Sequence, residues 1–134
     1  MNTHLEITSS IFPPYESEEE IINPGCWGKR LAEYLNQKLQ DNGYQTEEIN
    51  PEDWGWVLPI KNDAFPLWIG CGHQYGDDNE FLCFIEPSKS PIRRIFKKVE
   101  THEVINSLTT ILEQIFTSDP DIESFRWRDE SEKV

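Results

Sequence analysis

Pro51-Glu52-Asp53-Trp54-Gly55-Trp56-Val57-Leu58-Pro59-Ile60 is the stretch that decides the fold of this chain. It places two of the five tryptophans two residues apart, so that both point to the same face of a strand. Leu58 and Ile60 continue that face, while Gly55 lets another group approach the backbone closely. The pattern predicts a strand from about Gly55 to Lys61 whose tryptophan face packs against helices, because large aromatic side chains are mostly core. The alternative is that the tryptophans form a partly exposed aromatic anchor for a partner.

The residues before this strand predict one strand and one helix. Leu5, Ile7 and Ile11 alternate with polar residues, as in a half-buried strand. Asn23-Pro24 is a helix start, with Asn as the cap and Pro at the first helical position, and Gly43 follows as a stop. The helix is therefore expected from about Pro24 to Asn42. Its buried side chains are expected to be Trp27, Leu31, Leu35 and Leu39.

The later part of the chain predicts further strands and then helices. Short strands are expected at Tyr44–Ile49, Phe65–Cys71 and Phe81–Ile85, and the last is apolar on both faces, which favours a central place in the sheet. Ser90-Pro91 begins a short basic helix, and a longer amphipathic helix begins near Thr101. Ile122, Phe125 and Trp127 are spaced for a final short strand or a strap over the core.

These elements follow one another in the order β-α-β-β-β-β-α-α, with a possible C-terminal strand. Runs of strands, rather than strict alternation with helices, favour an α+β fold. We therefore expect a mainly antiparallel sheet of about five strands with the helices packed on one face. The 134 residues are expected to form a single domain, 1–134, with a tail that frays from about Asp129.

Charge is the strongest compositional signal. The formal net charge is −13, from 25 acidic and 12 basic residues. Such a surface argues against nucleic acid and anionic membrane as ligands, and it favours a basic partner. Two acidic segments stand out, Glu16 with Glu18–Glu20 and Asp77-Asp78 with Glu80. The first of them is expected to be a solvated loop.

The cysteines and histidines predict neither a metal site nor a cofactor. Three cysteines are an odd number without close pairing, and the N-terminus lacks the basic and apolar regions of a signal peptide. Reduced thiols and a cytoplasmic location are the expectation. His4, His73 and His102 are widely separated, and Cys71 with His73 is a single close pair, whereas zinc sites usually show two.

Catalytic constellations are weak in this sequence. Cys71 or Cys83 with His73 or His102 makes a formally possible thiol–imidazole pair. Cys26 is the most plausible reactive thiol, because it is expected in the first turn of a helix, where a thiol pKa is lowered. Glu52-Asp53 and Asp77-Asp78 lie in expected turns at strand ends, where solvated or capping carboxylates are common. We predict no catalytic residue, so a protein that is not an enzyme is favoured.

Several short motifs together resemble one group of proteins. They are Asn23-Pro24-Gly25, Gly28-Lys29 leading into Leu31–Leu35, Gly43-Tyr44, Asp53-Trp54-Gly55-Trp56 and Gly70-Cys71-Gly72. The chain is similar to short, acidic, uncharacterised bacterial proteins that share an Asp-Trp-Gly-Trp strand after a first helix. The resemblance covers roughly residues 23 to 128 and implies no activity. Size and charge also resemble those of immunity proteins of bacterial toxin systems, which is an analogy only.

Three functions follow as hypotheses. The first is a cytoplasmic protein-binding module for a basic partner, such as an immunity-type inhibitor of a toxin. The second is an enzyme or small-molecule binder with a site beside the two tryptophans, and the third is an acidic mimic of nucleic acid. A second copy of the chain is a further candidate partner. The candidate binding residues are Glu52, Asp53, Trp54, Trp56, His73, Asp77 and Asp78.

Overall fold

A computed structural model describes residues 3–73, 76–87 and 98–128. In these ranges the chain forms six strands and three helices in the order β1 (His4–Thr8), α1 (Glu18–Ile21), α2 (Lys29–Asp41), β2 (Asn50–Glu52), β3 (Gly55–Ile60), β4 (Leu67–Gly72), β5 (Glu80–Glu86), α3 (Lys98–Ser118) and β6 (Ser124–Trp127). The expected basic helix after Ser90 lies mostly outside the described residues, as does the tail from Asp129.

The strands form one antiparallel sheet in the order β2-β3-β4-β5-β1-β6. The α+β prediction is therefore confirmed, with six strands where about five were expected. The C-terminal strand does form, because β6 pairs with β1 at one edge. The apolar strand β5 lies between β4 and β1, as its sequence indicated. The segment expected as a strand at Tyr44–Ile49 contributes one isolated bridge, from Thr46 to Ile60, and β2 begins later.

Two helices and one face of the sheet enclose the core. The alternating strand positions that point to this face are buried: Leu5, Ile7, Trp56, Leu58, Ile60, Leu67, Ile69, Cys71, Phe81, Cys83 and Ile85. From α2, Leu31, Leu35 and Leu39 are fully buried and Trp27 is buried just before the helix, as predicted. The long helix α3 adds Ile105, Leu108, Leu112, Ile115 and Phe116. The Tyr34 hydroxyl donates to Asp119 Oδ2 at 2.8 Å, which joins α2 to the end of α3.

The start of α2 differs from the prediction. The helix begins at Lys29, whereas Asn23 and Cys26 form a bridged turn before it. The cap comes from a distant residue, since the Glu18 carboxylate accepts hydrogen bonds from the backbone N–H groups of Gly28 and Lys29. Cys26 therefore lies outside the helix, and burial followed by the charge of Glu19 raises the pKa of its thiol instead of lowering it.

The acidic segment is only partly solvated. Residues Glu18–Ile21 form the short helix α1, and Glu18 is 2% exposed. The prediction of a solvated loop is wrong at Glu18, because four N–H donors surround its carboxylate and replace water. Glu19 and Glu20 are exposed, as expected.

The two tryptophans of the opening stretch do not share a face. Glu52 pairs with Gly55, so Asp53 and Trp54 form the two-residue loop of the β2–β3 hairpin, and regular alternation begins only at Gly55. Trp56 is buried against the helices, whereas the ring of Trp54 contacts rings on the second face of the sheet, the face opposite α2 and α3. The prediction of a common face is therefore wrong for Trp54.

Candidate functional site

The second face of the sheet carries an aromatic cluster formed by Trp54, Trp68 and Phe84. The ring centroids of Trp54 and Phe84 are 4.9 Å apart, and those of Trp68 and Phe84 are 5.7 Å apart. Trp54 also stacks on Trp68 at 6.2 Å. All three side chains are half-buried, although they lie outside the core between sheet and helices. The His4 ring extends the cluster by stacking on Phe84 at 5.5 Å.

Two glycines of β4 make room for these rings. Gly70 pairs with Phe84 across the strands, and a Cβ atom at Gly70 would lie 2.6 Å from Phe84 Cε1. A Cβ atom at Gly72 would meet the Trp54 carbonyl oxygen at 3.0 Å and Trp54 Cε3 at 3.8 Å. The Phe84 ring therefore lies directly against the backbone of Gly70, which only a residue without a side chain permits, whereas the tight contact at Gly72 is with the Trp54 backbone.

A groove of about 790 Å³ lies beside this cluster. Trp54, Leu82 and Phe84 contribute to its apolar surface. One side is formed by His73 and the segment from Gly76 to Glu80, and the other side by Glu6 with two arginines. The groove thus combines partly exposed aromatic surface with charged groups at its borders, which is the usual composition of a recognition site.

The polar border is an ion-pair group of three residues. Glu6 Oε1 accepts from Arg126 at 2.8 Å, and Glu6 Oε2 accepts from Arg128 Nη2 at 2.9 Å and from its Nε at 3.1 Å. Burial alone would raise the pKa of Glu6. The hydrogen bonds and charges of Arg128 and Arg126 outweigh that effect, and the pKa is lowered.

His73 lies at the opposite border and is 6% exposed. Its ring stacks on Trp27 with the centroids 3.8 Å apart and the planes 10° from parallel. Nδ1 lies 3.1 Å from the carbonyl oxygen of Gly25, and Nε2 lies 2.8 Å from that of Asp77. Both ring nitrogens are therefore engaged by backbone, and neither is directed at the groove as an acid or base.

The structure brings some of the predicted site residues together. Trp54 and His73 both line the groove, and Asp77 is bound to His73 through its backbone. Asp77 and Asp78 are exposed next to the groove segment.

The other predicted residues lie elsewhere. Glu52 and Asp53 are exposed at the hairpin, and the Asp53 carbonyl accepts from Asn23 Nδ2 at 2.7 Å. Trp56 is 4% exposed in the core and bonds to Glu18, so it is not part of the groove.

Sequence reasoning missed six residues at this site. They are Glu6, Trp68, Leu82, Phe84, Arg126 and Arg128. A signal for part of the set was present, because a strand that is apolar on both faces, such as β5, must cover its second face with something. The glycines at 70 and 72, opposite Phe84 and Leu82, were the complementary signal. The arginines gave none, since their place depends on the register of β6.

The thiols lie apart from the groove. Cys71 and Cys83 pair directly across β4 and β5 on the helix side, and all three cysteines are free and buried. Burial, followed by the neighbouring Cys71, raises the pKa of the Cys83 thiol. Within residues 3–73, 76–87 and 98–128, no group of three or more His, Cys, Asp or Glu side chains is placed to hold a metal ion. None of the helices in these ranges is long and apolar enough to cross a membrane.

A second depression, of about 480 Å³, lies at the C-terminal ends of α2 and α3. Its lining is mostly polar and includes Lys38, Asp41, Asn42, Gln114, Ser118 and Asp119. It contains no aromatic ring, so the groove on the second face is the stronger candidate site.

Fold and site together define an α+β protein with helices on one face of an antiparallel sheet and an aromatic groove on the other. No family model, curated protein or solved structure matches the chain.

Proposed function

We propose that this chain is a cytoplasmic protein-binding module that docks a basic partner protein on the second face of its sheet. An immunity-type inhibitor of a bacterial toxin is the form of this function that we favour. The observation that carries the proposal is the aromatic cluster of Trp54, Trp68 and Phe84, which lies half-buried beside the groove instead of in the core.

The aromatic cluster has the chemistry of a binding hot spot. Trp is strongly enriched among the residues that dominate binding energy, and such residues gather where a partner can exclude water from them. The three rings pack against one another, so less side-chain freedom remains to be lost on docking. An aromatic face also attracts Lys and Arg side chains through cation–π contacts.

Charge favours a basic partner. The strand positions on the second face carry the carboxylates of Glu6, Glu52, Glu80 and Glu86, against two arginines, Arg126 in β6 and Arg128 just after it. The whole chain carries a formal net charge of −13. Such a surface raises the association rate of a basic protein and lowers that of acidic ones.

A second candidate function uses the same groove. Its volume of about 790 Å³ lies within the range of small-molecule sites, which supports a small-molecule binder with Trp54 in the site. The nucleic-acid mimic has less support, because exposed carboxylates are distributed over α2, α3, the hairpin and segment 76–80 instead of along one face.

The proposal is tested with two pairs of matched variants. Leu82→Lys changes an apolar residue of the groove, and Ile21→Lys makes the same kind of change at Ile21, which is 60% exposed on α1. Glu80→Lys and Glu20→Lys form the second pair, both at exposed positions. Each variant is first shown to retain the circular dichroism spectrum and melting temperature of the original protein.

Each protein is then used as bait in an extract of the cells that the chain comes from. We expect one basic protein to be enriched by the original chain and by the Ile21 and Glu20 variants. Titration with that purified protein should give an affinity that falls with salt and is about tenfold or more weaker for the groove variants. Equal affinities within each pair contradict the proposal. The second candidate is favoured if the bait experiment finds no protein partner and a screened small molecule raises the melting temperature of the unmodified protein but not that of Leu82→Lys.

A further inference from the structure

His73 holds together two segments of the chain that are far apart in sequence. Nδ1 faces the carbonyl oxygen of Gly25, in the turn before α2, and Nε2 faces that of Asp77, in the segment that borders the groove. The only additional backbone link between these regions in the described ranges is an isolated bridge from Trp27 to His73 itself. His73 therefore ties the groove segment to the start of α2.

Each of the two polar contacts of His73 requires a proton on the ring nitrogen that makes it. A carbonyl oxygen is an acceptor only, and a neutral imidazole has one N–H donor and one acceptor nitrogen. The bonds to Gly25 and Asp77 can exist together only when both ring nitrogens carry a proton. In either neutral tautomer, one lone pair would face a carbonyl oxygen at 3.1 or 2.8 Å.

The surroundings of the ring favour a cation. The parallel stack on Trp27 at 3.8 Å places the imidazolium over an indole face. The Phe81 ring lies edge-on at 5.5 Å and carries no charge. The titratable and charged groups on the elements around His73 are mostly carboxylates: Glu19 and Cys26 beside the turn, Asp77, Asp78 and Glu80 on the groove segment, and Glu6 with Arg126 and Arg128 across the groove.

We infer that His73 is a doubly protonated clamp, and that loss of one of its protons releases the turn from Gly76 to Asp78 and weakens binding at the groove. The second half of this inference rests on the proposed function, whereas the first does not. The groove therefore becomes sensitive to the protonation state of this imidazole. Since the clamp is complete only in the protonated form, its contribution is full at low pH and is lost as pH rises.

The clamp is tested directly by nuclear magnetic resonance of the whole chain labelled with 15N. The ring nitrogens of His73 are followed from about pH 5 to about pH 9, together with the backbone amides of Gly76 and Asp78. His73→Phe is the control, because it keeps an aromatic ring on Trp27 and removes both donors. We expect both nitrogens to carry protons at the acidic end, and the amides to shift in step with the loss of one proton. In His73→Phe those amide shifts should be absent.

A ring with one unprotonated nitrogen throughout this range overturns the clamp, and so do amide shifts that are the same in His73→Phe. Binding is measured separately with the basic protein identified by the bait experiment. We expect its affinity to fall by about fivefold or more as the proton is lost, beyond the change seen for His73→Phe. If the affinity for the basic partner depends on pH in the same way for the unmodified chain and for His73→Phe, the link between the clamp and the groove is overturned. If no basic partner is found, the proposed function fails, and the nitrogen measurement still decides the clamp.

Discussion

The carboxylate of Glu18 accepts a hydrogen bond of 2.9 Å from the indole Nε1 of Trp56. The same oxygen accepts from the backbone N–H groups of Gly28 at 2.8 Å and Lys29 at 3.0 Å. One buried side chain therefore connects α1, the first turn of α2 and the core strand β3. An acidic group suits this place, because the N-terminus of a helix carries partial positive charge and unsatisfied N–H donors.

Glu18→Ala should strongly destabilise the fold. The change leaves the donors of Gly28, Lys29 and Trp56 buried without an acceptor, and each such group costs about 1–3 kcal/mol. We expect the free energy of unfolding to fall by about 3 kcal/mol or more in urea denaturation. Glu20→Ala, at an exposed position on the same helix, should change it by less than about 0.5 kcal/mol. Similar values for the two variants would show that the buried carboxylate is not a helix cap.

Gly70→Ala should displace the Phe84 ring. The new Cβ atom would lie 2.6 Å from Phe84 Cε1, closer than two carbon atoms can approach, while the backbone of Gly70 needs no unusual conformation. Overpacking of this kind costs about 1–3 kcal/mol.

The double variant Gly70→Ala, Phe84→Ala provides the control for this prediction. It removes the ring that the methyl group meets, so its loss of stability should be smaller than the sum of the two single losses by about 1 kcal/mol or more. Urea denaturation of the four proteins gives this coupling energy. Additive losses would mean that Phe84 can move away without cost.

Glu6 should make stability depend on pH in the acid range. Its folded pKa is lowered from 4.5 because the arginine bonds outweigh burial, so its stabilising contribution is complete above about pH 4.5 and is lost as pH falls through the folded pKa. The difference in melting temperature between the original chain and Glu6→Gln should therefore be constant near neutral pH and shrink below about pH 4.5. A difference that stays the same at low pH would show that Arg126 and Arg128 do not hold the ionised form.

Periodicity predicted the elements of this fold better than their ends. Leu31, Leu35 and Leu39 were expected to be buried because they recur at helical spacing, and they are. The first turn of α2 could not be predicted from Asn23-Pro24, because the cap comes from Glu18. Such a tertiary contact overrides a local start signal.

The candidate site could be predicted only in part for a similar reason. Trp54 was identified by residue type, but its face depended on whether Asp53 and Trp54 continue the strand or form a hairpin loop. One residue of register moves a side chain to the other face of a sheet. The rest of the groove combines residues from β5 and β6. Both strands pair with β1, and no local sequence pattern predicts this pairing.

Trp56→Ala should act mainly on stability and Trp54→Ala mainly on binding. Trp56 is 4% exposed within the core, so its loss should lower the free energy of unfolding by about 3–5 kcal/mol, as large core truncations do. Trp54 is half-buried on the second face, and its loss should cost about 1–2 kcal/mol.

Partner binding separates the two tryptophans further. Trp54 supplies aromatic surface beside the groove, so its truncation should weaken the affinity for the basic partner by about tenfold or more, the scale of a hot-spot residue. Trp56 does not reach the groove, and the fraction of Trp56→Ala that remains folded should bind with nearly unchanged affinity. Both quantities are measured on both variants below their melting temperatures. If Trp54→Ala unfolds the protein as Trp56→Ala does, the aromatic cluster serves stability, because a ring on a docking surface should be removable without loss of the fold.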